Sequence, residues 1–265
     1  MKDLLITIVQ SNLHWENIDE NIKMFSQKIA SVKEQTDLIV LPEMFSTGFT
    51  MNNKPLAEKM NGRTFEWMKK TAKEKNCVLT GSLIIEENGK YFNRLIWMRA
   101  DGSFETYDKR HLFRYANEQD HYTSGKKKLI VELNGWNICP LVCYDLRFPL
   151  WSRNRFNKKG EGQYDLLLFV ANWPERRNHP WKTLLMARAM ENQAYVVGVN
   201  RTGDDGNNVH YSGDSAAINF KGDILSKTKA DEESAETVTL SKNELVEWRK
   251  VFPAWMDADR FTVGS

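Results

Sequence analysis

The pattern of hydrophobic and polar positions in the first forty residues predicts a strand, a helix and a second strand. Apolar runs at 4–9 and 38–41 have the length and composition of buried strands. Between them, apolar residues recur at alternating intervals of four and three, which places them on one helical face: Ile18, Ile22, Phe25, Ile29 and Val32. The pattern therefore predicts a βαβ unit whose helix covers one face of a sheet.

Two further helices are indicated by their capping signals. A pattern over about 64–75 has Thr64 as its expected N-cap and places three apolar residues on the inner face: Phe65, Met68 and Ala72. Near the end of the chain, Ser241 and Glu244 have the spacing of a capping box, in which each side chain bonds to the other residue's backbone N–H. A last helix is expected to begin there.

The middle of the chain has the pattern of an antiparallel meander. Short strands are predicted at 77–85, 91–98 and 104–108, separated by the dipeptides Asn88-Gly89 and Asp101-Gly102. Such dipeptides favour tight hairpin turns because both residue types tolerate positive φ angles. These three strands should therefore be neighbours in one sheet.

A second group of strands follows. The dipeptide Asn134-Gly135 joins predicted strands at 129–133 and 136–142, and the latter is mostly apolar on both faces, so it should be buried on both sides. Buried strands at 166–171 and 194–200 flank a helix that is expected to begin at Pro180 and end near Gln193. The order of elements predicts a mixed α/β fold with two sheets and helices outside them.

Composition and charge restrict the class of protein. With 265 residues, of which 41% are hydrophobic, and no Pro/Gly/Ser-rich linker, the chain is expected to form one domain over 1–265. The net charge of +2 does not indicate a nucleic-acid or acidic-membrane partner. The longest nearly pure apolar run, 166–171, is far shorter than the roughly 18–20 residues of a membrane span. The N-terminal segment lacks the features of a signal peptide, so a cytoplasmic location is expected.

Cys143 is the first candidate for chemistry, although a free cysteine is often only a small core residue. The chain has three cysteines, an odd and sparse set that implies no disulfide framework. A metal site is not expected, because Cys139 and Cys143 on one strand would lie about 13 Å apart and no histidine has ligand spacing. Cys143 stands where a buried strand ends, the place where α/β sheets present groups to ligands.

Glu43 and Lys109 occupy similar positions at the ends of other predicted strands. Taken singly, Glu43 reads equally well as an exposed turn residue and Lys109 as a surface lysine. A thiol has a free pKa of about 8.5 and needs activation, and no histidine lies in such a context. Three reactive groups at three strand ends therefore favour a catalytic set.

The segments that carry these residues are "LIVLPEMFSTGF" around Glu43, "YDKRHLF" around Lys109 and "LVCYDLRFP" around Cys143, at spacings of 66 and 34 residues. In these segments, and in 171–203 and 211–225, the sequence resembles the nitrilase (carbon–nitrogen hydrolase) superfamily. The resemblance implies a four-layer α-β-β-α sandwich, a homodimer or higher homo-oligomer, and catalysis without a metal or an organic cofactor.

Within that superfamily the chain is most similar to ω-amidases, which hydrolyse the terminal amide of dicarboxylic acid monoamides such as 2-oxoglutaramate and 2-oxosuccinamate. The supporting segments are "YDLRFP" after the cysteine, Asn172-Trp173-Pro174, and 252–261. A true nitrilase is expected to have Trp-Glu after the cysteine, where this chain has Tyr144-Asp145. Two alternatives remain open: another carbon–nitrogen hydrolase, such as an N-carbamoyl amino acid hydrolase, and a non-catalytic member that binds a partner.

The resemblance also implies roles for single residues. Cys143 would be the nucleophile that forms a thioester, Glu43 the general base, and Lys109 with the backbone N–H of Tyr144 the oxyanion donors. Glu118 best matches a second glutamate of the family, although its polar surroundings also fit an exposed loop.

Four residues are expected to bind the substrate in the rest of the pocket: Arg147, Tyr144, Asn172 and Trp173. Arg147 is expected to hold the distal carboxylate of the substrate, since arginine binds carboxylates with two-pronged geometry; an internal ion pair, for example with Asp145, is the alternative. Asn172 and Trp173 are expected to wall the pocket, although Trp173 also fits a core role. Arg176 and Arg177 are weaker candidates.

Overall fold

Two β-sheets form the centre of the molecule, seen in a computed structural model that describes residues 1–259, 261 and 262. The strands are β1 (Leu4–Gln10), β2 (Leu38–Val40), β3 (Val78–Glu87), β4 (Lys90–Met98), β5 (Phe104–Asp108), β6 (Val131–Leu133), β7 (Trp136–Val142), β8 (Leu166–Ala171), β9 (Tyr195–Asn200), β10 (Thr202–Asp204), β11 (His210–Ser212), β12 (Ala216–Ile218) and β13 (Ser234–Leu240). The helices are α1 (Ile18–Ser31), α2 (Asn53–Leu56), α3 (Arg63–Lys75), α4 (Pro149–Ser152), α5 (Asn178–Asn192) and α6 (Lys242–Val251).

The two sheets have related arrangements. The first has the order β13-β1-β2-β3-β4-β5, with β1, β2 and β3 parallel and the remaining pairs antiparallel. The second has the order β12-β9-β8-β7-β6, with β7, β8 and β9 parallel. Strands β10 and β11 form a separate hairpin. In both sheets, parallel strands therefore bring their carboxyl ends to one edge.

The apolar residues sort into layers. Successive side chains along β1 point to opposite faces of the sheet. Ile6 and Ile8 therefore pack in the core that contains β7 and β8, whereas Val9 packs in the core beneath α1 and α3. Helix α5 packs on β9, where Gly198 permits the approach because a Cβ there would lie 2.7 Å from Leu185 Cδ1. The four-layer α-β-β-α sandwich is thus confirmed.

The strand predictions agree closely with the structure, and the turn predictions agree in part. Both residues of Asn88-Gly89 and of Asn134-Gly135 have positive φ angles, as expected for two-residue hairpin turns. At the third turn only Gly102 does, and Arg99 and Ser103 close a longer loop with a 2.9 Å hydrogen bond. Strands β10 to β13 were not predicted, because three of them span only three residues and β13 carries many polar side chains.

Three helix-start predictions were wrong in detail. The N-cap of α3 is Gly62, and Thr64 instead bonds through its N–H and hydroxyl to the Glu58 carboxylate. Helix α5 begins at Asn178, with Pro180 at its third position, where the backbone N–H also has no partner within the helix. Ser241 is the N-cap of α6, but its side chain makes no capping bond.

Two further observations bear on the expectations from the sequence. Among the described residues, no helix combines the length and the apolar character that crossing a membrane requires. The segment 252–261, used above as a sign of ω-amidases, includes Arg260, which lies outside the described residues.

Candidate active site

The carboxyl ends of strands from both sheets open onto a cavity of about 560 Å³. Lys109 directly follows β5, Cys143 directly follows β7, and Asn172 directly follows β8. Six of the eight residues singled out from the sequence line the cavity: Lys109, Cys143, Tyr144, Arg147, Asn172 and Trp173. The other two, Glu43 and Glu118, are fully buried and contact Lys109.

Lys109 lies between two buried carboxylates. Its Nζ donates to Glu43 Oε1 at 2.9 Å and to Glu118 Oε1 at 3.0 Å, and its side chain is 1% exposed. Burial by itself lowers the Lys109 pKa, but the charges of Glu118 and Glu43 outweigh burial and raise the pKa above its ordinary value. The neighbouring glutamates therefore favour the charged ammonium form of Lys109, which is suited to stabilise an oxyanion.

Glu43 is held from several directions. Asn93 Nδ2 donates to its Oε1 at 2.7 Å, and the backbone N–H of Asn172 donates to its Oε2 at 2.8 Å. Asn172 also donates from Nδ2 to the Glu43 backbone carbonyl. Asn172 thus fixes the candidate base as well as lining the cavity, and the carboxylate has little freedom to rotate.

Asn93 was not identified from the sequence. It is 1% exposed on β4 and links the two glutamates, with Nδ2 also 3.4 Å from Glu118 Oε1. The sequence did contain a sign of its role, because an amide side chain inside a predicted strand that is otherwise well buried needs a polar partner. The identity of that partner could not be read from the strand pattern.

Cys143 begins a short 3₁₀ turn, Cys143–Arg147, and has a φ angle of +44°. This left-handed conformation is uncommon for a residue with a side chain and occurs at sites where the surroundings enforce it. Burial, followed by the charge of Glu43, raises the pKa of the Cys143 thiol well above its ordinary value, although Lys109 opposes this. The resting sulfur is therefore a thiol that requires a base. Its Sγ donates to the Asn172 backbone carbonyl at 3.8 Å, and the N–H of the same residue donates to the Glu43 carboxylate.

Tyr144 lies within the same turn. The first N–H groups of such a turn have no acceptor inside it, so they are available to a negatively charged ligand. The Tyr144 ring contacts Phe113 and Phe148, with ring centroids 4.9 and 5.2 Å away. This aromatic packing holds the turn against the cavity wall.

Glu118 is not an exposed loop residue. It is 0% exposed and lies in a 3₁₀ turn, Glu118–Asp120, where its Oε2 accepts from the Phe113 N–H at 2.5 Å. Burial raises its pKa, and the neighbouring Lys109 charge reduces that rise. A glutamate in this position gives the lysine a second buried carboxylate partner besides Glu43.

Arg147 makes no ion pair within 1–259 or with residues 261 and 262, and its guanidinium carbon lies 4.9 Å from the centroid of the Trp173 ring. The ion pair with Asp145 considered above does not form, because Asp145 is fully buried and accepts from other donors. The charge of Arg147 is therefore available at the cavity wall.

Trp173 combines the two roles weighed for it. It lines the cavity, yet it is 4% exposed and packs on Trp181 with centroids 5.5 Å apart. Its Nε1 donates to the Arg177 carbonyl at 2.7 Å. Trp173 therefore packs in the protein core and also contacts the Arg147 guanidinium at the cavity wall.

Arg177 was only a weak candidate from the sequence. Its guanidinium lies over Phe113 and Tyr115, at 5.3 and 4.7 Å from the ring centroids. Its Nη1 is buried and has no hydrogen-bond acceptor among the residues that the structure describes. Burial and the charges of Arg176 and Arg147 lower the pKa of Arg177. All three arginines line the cavity.

The two acidic residues that line the same cavity are already bound by neighbours. Glu16 accepts from the Thr50 hydroxyl at 2.5 Å and from Asn52 Nδ2 at 3.0 Å. Asp205 accepts from the Tyr211 hydroxyl at 2.9 Å. The described residues include no cluster of three or more His, Cys, Asp or Glu side chains that could bind a metal ion.

Comparisons with known proteins agree with this geometry. The model of the carbon–nitrogen hydrolase family matches residues 5–250. The omega-amidase YafV of Escherichia coli K12 is 44% identical over 261 residues, covering 98% of this chain and 99% of that protein. The 2-oxoglutaramate amidase of Bacillus subtilis is 31% identical over 255 residues, covering 95% and 96%. The crystal structure of XC1258 from Xanthomonas campestris, a CN-hydrolase superfamily protein with an arsenic adduct in its active site, is 44% identical, covers 100% of both chains and has a TM-score of 0.97.

Proposed function

The chain belongs to the carbon–nitrogen hydrolase family, and we propose that it is an ω-amidase, which hydrolyses the terminal amide of dicarboxylic acid monoamides to acid and ammonia. The names of its relatives in Escherichia coli and Bacillus subtilis support this class, with 2-oxoglutaramate and 2-oxosuccinamate as expected substrates. The observation that carries the proposal is that Arg147, which has no ion pair with any described residue, lies in the same cavity as Cys143 and Lys109.

In the first step, the Cys143 thiol transfers its proton to Glu43 as the sulfur attacks the amide carbonyl. The resulting oxyanion is stabilised by the Lys109 ammonium and the Tyr144 N–H. Removing one such donor typically reduces turnover by about 10²–10³-fold. Glu43 then gives the proton to the departing nitrogen, so that ammonia leaves and a thioester remains on Cys143.

In the second step, Glu43 takes a proton from water, which attacks the thioester carbonyl. The tetrahedral intermediate again uses Lys109, and its collapse releases the dicarboxylic acid and returns the proton to the Cys143 sulfur. Positioned proton transfer of this kind contributes roughly 10²–10⁴-fold. Glu118 keeps the Lys109 ammonium in place in both steps through its 3.0 Å hydrogen bond.

At the far end of the substrate, the Arg147 guanidinium binds the free carboxylate. Its cation–π contact with Trp173 uses no hydrogen-bond donor of the guanidinium, so the donors remain for the carboxylate. Arg177 adds positive charge beside this position. A neutral aliphatic amide lacks the carboxylate and so loses these interactions.

An ammonia-release assay over a panel of amides tests the proposal. We expect 2-oxoglutaramate and 2-oxosuccinamate to be hydrolysed far faster than a simple aliphatic amide, and Cys143→Ala to fold but lose nearly all turnover. Preference for an N-carbamoyl amino acid would assign the protein to a different hydrolase of the family. No turnover of any amide would favour a non-catalytic member.

We also propose that residues 1–265 form one domain, and that the protein is a cytoplasmic homo-oligomer. A reducing compartment is supported by three free cysteines, one of which must remain a thiol for the reaction. Exposed apolar residues near the end of α6, Val251 at 76% and Phe252 at 55%, support association. Light scattering coupled to size exclusion measures the oligomer, and cell fractionation the compartment.

A further inference from the structure

The carboxylate of Asp145 contacts three residues from two segments of the chain. It is 0% exposed, and its Oδ2 accepts from the Tyr107 hydroxyl at 2.7 Å and from the Val142 N–H at 3.1 Å. Its Oδ1 accepts from the backbone N–H of His111 at 2.9 Å and lies 2.7 Å from His111 Nδ1. Both oxygens are therefore fully used, although Asp145 does not line the cavity.

The positions of these donors are informative. Tyr107 is two residues before Lys109 and His111 is two residues after it, while Val142 directly precedes Cys143. A single buried carboxylate thus connects residues on both sides of the lysine to the residue that precedes the nucleophile. The lysine belongs to the first sheet and the cysteine to the second, so this connection crosses between the sheets.

We propose that Asp145 is a positioning residue that fixes the Cys143 turn relative to Lys109. The inference rests on the proposed function, because it assumes that these two groups act together on one carbonyl. Cys143 has an uncommon backbone conformation, which requires strong local support. Misplacing a catalytic group by about 1 Å can reduce the rate by about 10²-fold.

The alternative is that Asp145 has a purely structural role and only stabilises the fold. Asp165 provides a matched control for that role. Asp165 is also buried, at 5% exposure, and accepts from the Asn137 N–H at 3.0 Å, from Arg249 at 2.9 Å and from Lys242. It lies beside Asn137, near the start of β7, whereas Cys143 follows the end of that strand roughly 20 Å away. Asp165→Asn should therefore affect stability without affecting chemistry.

The experiment compares Asp145→Asn with Asp165→Asn by steady-state kinetics and thermal melting. The asparagine has the same shape, but its NH₂ group faces donors and leaves at least one of them without an acceptor. We expect kcat to fall by about 10–100-fold in Asp145→Asn and to stay within about 2-fold of wild type in Asp165→Asn, while both variants melt at lower temperature. A kcat for Asp145→Asn within about 3-fold of wild type would overturn the proposal.

A double-mutant cycle with Lys109→Met separates positioning from general stability. If Asp145 acts by placing Cys143 against Lys109, its replacement should cost much less in the Lys109→Met background than in wild type. Multiplicative losses would contradict the proposal. Should Asp145→Asn fail to fold, Tyr107→Phe removes one of the lysine-side donors to Asp145, together with the acceptor of the Trp151 indole N–H, and leaves the His111 contacts in place. It should lower kcat by about 3–10-fold; unchanged kcat in that variant would also contradict the proposal.

The assay uses whichever amide the wild-type protein hydrolyses fastest. If that amide is not a dicarboxylate monoamide, the proposed substrate class fails while the Asp145 comparison still gives a result. If the monoamides are hydrolysed well and Asp145→Asn is unaffected, only the positioning role fails.

Discussion

Replacing Arg147 with lysine is the sharpest test of the substrate class, because it keeps the charge and removes the two-pronged geometry. Charge-assisted hydrogen bonds contribute about 1.5–3 kcal/mol each. Losing one of them in the transition state corresponds to a decrease in kcat/KM of roughly 10–150-fold. That decrease should appear with 2-oxoglutaramate and be much smaller with an aliphatic amide such as butyramide, which carries no distal carboxylate.

The structure also predicts the effect on stability. Within the described part of the chain Arg147 has no ion pair, and its guanidinium makes a cation–π contact with Trp173 at 4.9 Å. Such contacts contribute about 0.5–1 kcal/mol at partly exposed sites. For a chain of this size, about 1 kcal/mol shifts Tm by roughly 2–4 °C. The change in Tm for Arg147→Lys should therefore be at most about 4 °C.

Arg249→Lys is the matched control. Arg249 is buried, pairs with Asp165 at 2.9 Å and donates to the carbonyls of Gln193 and Tyr164 at 2.9 and 3.0 Å. Its replacement should lower Tm clearly and leave the ratio of kcat/KM for the two substrates unchanged. If Arg147→Lys instead lost equal activity on both substrates, or melted like Arg249→Lys, the carboxylate-binding role would be refuted.

Three further predictions concern the catalytic group itself. Lys109→Met should reduce turnover by at least about 10²-fold and lower Tm, since Glu43 and Glu118 lose the cation they share; ammonia release and melting measure both, and near-normal turnover would exclude Lys109 as an oxyanion donor. Glu118→Gln keeps the shape but removes one charge beside Lys109, so kcat should fall by about 10-fold or more with Tm little changed; a large fall in Tm with normal kcat would indicate a structural role. Iodoacetamide should label Cys143 first, because it lines the active-site cavity, whereas the buried Cys77 and Cys139 do not line it. Because the Cys143 pKa is above its ordinary value, its labelling should accelerate as pH rises through and beyond 9; peptide mass spectrometry that finds another cysteine labelled first would contradict the prediction.

Local patterns determined much of the fold. Apolar runs and the helical spacing of apolar residues predicted β1, α1 and β2, and the turn dipeptides predicted the meander, because these patterns depend on residues near one another in the chain. The same reasoning placed reactive groups at the ends of three strands. Parallel strands in a sandwich bring such ends together, so the convergence of Glu43, Lys109 and Cys143 followed from the pattern and from the resemblance to a known family.

The tertiary structure decided which partner each polar group has. Asn172 binds Glu43 across 129 residues of sequence, and Lys109 binds Glu43 across 66. In the local sequence, Glu118, Asn93 and Asp145 look like ordinary polar positions. Their neighbours in the chain therefore do not predict the burial of Glu118, the link made by Asn93 or the four donors around Asp145. Periodicity records whether a side chain faces the core or solvent. A buried polar group is satisfied by whichever donor or acceptor the packing of distant segments brings within about 3 Å, and that choice exists only in the folded chain.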